Sequence, residues 1–136
     1  MSTLSTLIDR HGVDVHAHLD RELAIPVLAG LQRQGDVIVV PTAAGPQAVT
    51  QVPREGVPVV RGEATGNTHL LLGEGDVRLD MRDASAGDLL LGRLTVAAGS
   101  TAHLAHAEHG YLSIAPGKYE VRRQREQADE IRLVQD

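Results

Sequence analysis

From Gly35 onward the sequence is a succession of short apolar runs, each ended by glycine, proline or a charged turn. The runs occupy residues 36–41, 57–63, 68–72, 76–81, 88–97, 111–114 and 118–124. Such runs are shorter than the typical helix of about 10–14 residues, and their valines and isoleucines fit a pleated, half-buried surface. Turn signals at roughly ten-residue spacing predict a mainly β domain, a small barrel or sandwich of about eight short strands. The runs do not alternate with helical patterns, which excludes a doubly wound parallel sheet. Pro58 places the 57–63 run at a sheet edge, because proline cannot donate to a ladder. Gly73-Glu74-Gly75 reads as a hairpin turn between its flanking runs. Gly92 either divides the 88–97 run or bends it, Ala115-Pro116-Gly117 is a further turn, and residues 42–56 read as a loop.

Residues 1–34 have a different period. Leu19, Leu23, Val27, Leu28 and Leu31 recur at three- and four-residue spacing, which predicts one amphipathic helix. Pro26 makes it begin near Ile25 or kink there, and Gly35 stops it. The expected organisation is a helical segment 1–34, a β domain 35–126 and a charged tail 127–136. The helix packs on the β domain or, if its stripe is exposed, serves as an oligomer or partner contact.

The length of 136 residues fits one domain and excludes a (β/α)₈ barrel, which needs about 250. With no cysteine, disulfides, thiolate metal sites and cysteine nucleophiles are excluded. Two tyrosines and no Phe or Trp leave a core of small aliphatic pieces. A formal net charge of −5 argues against a general nucleic-acid or membrane-surface binder. No apolar run approaches the roughly 18 residues of a membrane span, and no basic leader precedes one, so the expected location is the cytoplasm.

Two histidine patterns stand out. Val13-Asp14-Val15-His16-Ala17-His18 looks like the His-x-His strand end of metal-dependent amidohydrolases, but that chemistry sits in a barrel this chain cannot build; a polar lead-in is the plainer reading. His69, His103, His106 and His109, with Glu63, Glu74 and Glu108 among them, form a denser set. Neutral imidazole plus carboxylate suits one divalent transition metal: Zn, Mn, Fe or Ni. His69, His106 and His109 are the leading ligands, with His103, Glu74 and Glu63 as further candidates. On one strand His103 and His106 face opposite ways, since side chains alternate. The plainer alternative is surface or hydrogen-bonded structural histidines. No nucleophile with a partnered base is visible, so catalytic residues are not assigned.

Asn67-Thr68-His69 followed by Glu74, and the stretch from Asp88 to Val96-Ala97-Ala98-Gly99-Ser100-Thr101-Ala102-His103, resemble the two metal-binding segments of cupins. Asn67 stands in place of the first histidine and Ala97 in place of a usual proline. The resemblance implies a cupin-like β-barrel with His69, Glu74 and His103 as ligands and Asn67 a fourth. Gln34-Gly35-Asp36-Val37, Gly62-Glu63-Ala64-Thr65-Gly66 through His69, His106-Ala107-Glu108-His109-Gly110, and Pro116-Gly117-Lys118-Tyr119 through Glu126 resemble a family of small uncharacterised bacterial proteins. That similarity spans most of residues 34–126 and implies a shared fold without an activity.

Arg122, Arg123 and Arg125 form the basic cluster. Together they suit a phosphate or nucleic acid, while pairing with Glu120, Glu126, Asp129 and Glu130 is the plainer reading. Three functions follow as expectations: a metal-binding β-barrel of cupin type, with a cupin-type enzyme acting on a small molecule as its catalytic form; a non-catalytic assembly or accessory protein that forms a homo-oligomer or docks on a protein partner; and a nucleic-acid binder through the arginines.

Overall fold

The computed structural model of the chain describes residues 2–15, 23–60, 68–82 and 89–124. Among them one helix, α1 (Leu4–His11), precedes ten strands. These are β1 (Val27–Leu28), β2 (Gln32–Gln34), β3 (Val37–Pro41), β4 (Val57–Val60), β5 (His69–Glu74), β6 (Val77–Met81), β7 (Leu90–Val96), β8 (Thr101–His106), β9 (Gly110–Ile114) and β10 (Gly117–Arg123). The first sheet has the order β1-β9-β8-β5-β4 and the second β2-β3-β10-β7-β6. The mainly β reading holds, as an open sandwich rather than a closed barrel.

Period-two alternation builds the core. Val37 and Val39 from β3, Leu71 from β5, Leu94 and Val96 from β7, Leu104 from β8, and Tyr119 and Val121 from β10 meet between the sheets. Tyr119 is the largest side chain fully buried there. Its hydroxyl donates to the Ala115 carbonyl at 2.6 Å, which satisfies the polar tip that burial would otherwise orphan.

The turn at Gly73–Gly75 forms, but it does not make a hairpin. β5 is paired by β8 on one edge and β4 on the other. No edge is left for β6, which pairs with β7 in the second sheet. The turns after β7 and β9 likewise carry the chain from one sheet to the other. β4, with Pro58, lies at a sheet edge as expected. Within the 88–97 run Leu90–Val96 is one strand, and its ladder with β10 shifts register at Leu91, the extra β7 residue between Gly92 (opposite Val121) and Leu90 (opposite Arg122).

The helix lies elsewhere than the leucine spacing suggested. Thr3 caps α1 by accepting from the Thr6 amide at 3.1 Å. Gly12, at φ 78°, ends it in the left-handed region. Leu4 and Leu7 are buried against Leu72, Ala105 and Tyr111 on the outer face of the first sheet. The expected helix around Leu23–Leu31 is absent: Val27–Leu28 is an edge strand running parallel to β9. Pro26 and Gly30 interrupt any helix there, and Leu23, Val27, Leu28 and Leu31 are exposed. Leu19 and the tail 127–136 lie outside the described residues. No helix among the described residues is long and apolar enough to cross a membrane.

Two glycines separate backbone strain from crowding. Gly75 has φ +86°, and a Cβ there would stand 2.5 Å from Ser100 Oγ. That hydroxyl accepts from the Asp76 amide at 2.8 Å. Gly99 has φ +78° with nothing within 4 Å. Gly99→Ala is expected to cost only the left-handed strain of about 1–2 kcal/mol, and Gly75→Ala that strain plus displacement of Ser100. Urea unfolding should therefore rank the parent above Gly99→Ala and Gly99→Ala above Gly75→Ala. Equal stability of the two variants would show that Ser100 moves aside without cost.

Candidate metal centre

Strand parity sorts the histidines. On β5, His69 shares the inward face of Leu71, while Glu74 shares the outward face of Leu70 and Leu72. On β8, His106 follows Leu104 inward, while His103 follows Ala105 outward. Leu72 pairs with His103 in the β5–β8 ladder. The sequence-derived candidates therefore fall into two clusters on opposite faces of the first sheet. The cupin-like set divides between them, with His69 inside and Glu74 and His103 outside.

The outer cluster lies under the end of α1. His11, in the last turn of the helix, brings Nε2 to 3.5 Å from Glu74 Oε1. His103 Nε2 stands 3.4 Å from the same oxygen, and Arg10 Nη1 also bonds it. The His11 and His103 side chains are 8% and 2% exposed, whereas Arg10 is 45% exposed. Both imidazole Nε2 atoms are buried without a hydrogen bond. Ser113 Oγ, opposite on β9, meets His103 Nδ1 at 2.8 Å. When that nitrogen carries the ring proton, Nε2 turns its lone pair toward Glu74.

Burial lowers the pKa of His11 despite the nearby Glu74. It brings His103 down to about 4. Burial alone would raise the Glu74 carboxyl, but the hydrogen bond from Arg10, the neighbouring imidazoles and the Arg10 charge together hold it below its ordinary value. At neutral pH the cluster is thus two neutral imidazoles and one carboxylate. His11, Glu74 and His103 place one ligand atom each within 4.8 Å of one another.

The inner cluster closes one end of the sandwich. Gln34, on β2, donates its side-chain amide to the Leu104 and Gly110 carbonyls at 2.9 and 2.8 Å. Both amide protons are then in use, so its oxygen, 2.9 Å from His69 Nδ1, accepts from that ring. His69 Nε2 faces Asp36 Oδ1 at 3.5 Å. His106 packs against both His69 and His109, with ring centroids 4.4 and 4.5 Å away and its plane tilted 40° and 41° to theirs. Its Nδ1 accepts from the Glu108 and His109 amides at 3.0 and 3.2 Å. That fixes the proton of the neutral ring on Nε2 and leaves no lone pair for a metal. Gly35, at φ +59°, admits the rings: a Cβ there would stand 3.2 Å from His69 Cε1 and 3.3 Å from His109 Nε2. Burial, then the neighbouring His106, brings His69 down to about 4.

Glu63, Arg125 and Asn67 lie outside the described residues, as do His16 and His18. Arg122 bonds Glu120 Oε1 at 2.8 Å and Arg123 bonds Asp36 Oδ2 at 3.2 Å, so each of these arginines already faces a carboxylate. The sequence reading missed His11 and Arg10. Their signal was the cap pair Thr3 and Gly12 around Leu4, Leu7 and Ile8.

Histidines held near pKa 4 give stability a defined pH dependence. The unfolded chain binds their protons at about 6.5, while the fold excludes them, so this contribution is complete above that pH and lost on acidification toward 4. Unfolding free energies from urea titration should be flat from pH 7 to 8 and fall between pH 6.5 and 4, by a few kcal/mol in total. His103→Asn should shallow that fall. A flat profile across the window would mean that the rings are solvated.

Over residues 33–124 the chain matches a family described as Domain of unknown function (DUF8820). No curated protein matches the chain, and no solved structure does.

Proposed function

This chain belongs to the DUF8820 family, whose matched span includes Glu74 and His103, and we propose that it is a metal-binding β-sandwich protein holding one divalent ion on His11, Glu74 and His103. The observation that carries this reading is the convergence of two buried, unbonded imidazole nitrogens on one carboxylate oxygen. Ligand atoms about 2.1 Å from a tetrahedral ion lie about 3.4 Å from one another. The spacings of 3.4 and 3.5 Å to Glu74 match that value. Two imidazoles and a carboxylate suit Zn²⁺ or Fe²⁺ and leave a position open. A metal there supplies activation of water or polarisation of a bound oxygen. His103 is oriented by Ser113, as a ligating imidazole requires. Arg10 competes with the ion for Glu74.

Titration with zinc is expected to show one ion per chain. His11→Ala and His103→Ala should abolish it, His69→Ala should retain it, and Arg10→Ala should tighten it about tenfold by removing a like charge. Loss with His69→Ala but not with His103→Ala would move the ion to the inner cluster. A parent chain that binds no zinc would overturn the reading.

A second reading rests on the exposed Leu23, Val27, Leu28 and Leu31 at the β1 edge. Exposed apolar groups beside an open strand edge favour self-association. Sedimentation should then show a dimer that Leu28→Glu with Leu31→Glu converts to a monomer. A parent that stays monomeric at high concentration removes this reading.

A further inference from the structure

We propose that Arg10 is the anion-holding group of the metal centre and that the ligand it receives is a phosphate group. This inference rests on the metal reading above. Glu74 Oε1 is a single oxygen facing three nitrogen groups: Arg10 Nη1, His11 Nε2 and His103 Nε2. An ion between the imidazoles and the carboxylate takes that oxygen's electron density and repels the guanidinium. Glu74 is the carboxylate that Arg10 bonds among the described residues. Once displaced, Arg10 stays tethered to the end of α1 with its planar fork of donors unfilled.

Access points the same way. The two histidines are nearly inaccessible, whereas Arg10 is 45% and Glu74 31% exposed. The centre therefore opens to solvent on the Arg10 side, and a ligand reaching the ion passes the guanidinium.

Charge and geometry select the ligand. One guanidinium, one divalent ion and one carboxylate, beside two neutral imidazoles, leave two positive charges uncompensated. A phosphate group carries about −1.5 to −2 at neutral pH. It also has enough oxygens to fill the arginine fork with two and the ion's open position with a third. A carboxylate has half the charge and two oxygens, so it fills the fork or the ion but not both. A phosphate monoester or free phosphate is the class of ligand this arrangement takes.

Calorimetric titration of inorganic phosphate tests this, with zinc held equimolar to protein. Zinc-loaded parent is expected to bind one phosphate per chain. Binding should weaken at least tenfold in zinc-loaded Arg10→Ala and in the metal-free parent, and acetate should bind the loaded parent at least tenfold more weakly than phosphate. The same Arg10→Ala variant that tightens zinc thus loosens phosphate, a pairing that general destabilisation does not produce. Equal phosphate affinity in parent and Arg10→Ala would overturn the role of Arg10. Acetate binding as tightly as phosphate would overturn the choice of ligand. Zinc-loaded parent that takes no phosphate would overturn this inference alone. A parent that takes no zinc would overturn the metal reading with it.

Discussion

The pairing of β5 with β8 is the constraint on which the rest depends. It sets Leu72 opposite His103 and Leu71 opposite Leu104. Side chains alternate strictly along a strand, so residues an odd number apart face opposite ways. His69 and Glu74 are therefore separated, as are His103 and His106. A shift of one residue in β5 would exchange its faces and drive Glu74 into the apolar core. Burying an ionised carboxylate there without a partner would cost several kcal/mol. The register is held by the cost of the alternative as much as by the contacts it makes.

The inner histidines close the sandwich with polar atoms that have partners. Gln34 belongs to the second sheet, yet its amide ends on two carbonyls of the first. Its oxygen fixes His69, and backbone amides fix His106. A buried network in which each of these atoms is paired gives the end of the core one arrangement. The outer histidines differ in kind, since their Nε2 atoms are buried and unbonded. The same residue type thus serves packing on one face of the sheet and is left available for chemistry on the other.

Much of the fold was legible because it is local. The short strands after Gly35, the edge position of Pro58, the opposed faces of His103 and His106, and the pairing of Arg122 with Glu120 all follow from a few neighbouring residues, whereas the helical period expected before Gly35 gives way to strands β1 and β2. The helix was misplaced because the spacing of Leu23, Val27, Leu28 and Leu31 imitates a helical stripe, while caps at Thr3 and Gly12 marked the true one. Sheet switching at Gly75 was not legible, because a tight turn looks the same whether its strands pair or part. What decides it is that β4 and β8 already occupy both edges of β5. His11 was missed for the related reason that its partners, Glu74 and His103, are far along the chain.

An eight-residue helix such as α1 has too few turns to persist alone in water, so it owes its form to the seat made by Leu72, Ala105 and Tyr111. It also lies outside the span matched by the family, residues 33–124. The span therefore holds two of the three groups at the outer centre, and the third arrives on a separate element whose attachment is a tertiary equilibrium. On the metal reading, an ion that needs His11 binds only when the helix is docked. By reciprocity, the ion then holds the helix down as firmly as the helix holds the ion. The centre is in that sense a clasp, whose strength is shared between coordination bonds and two buried leucines.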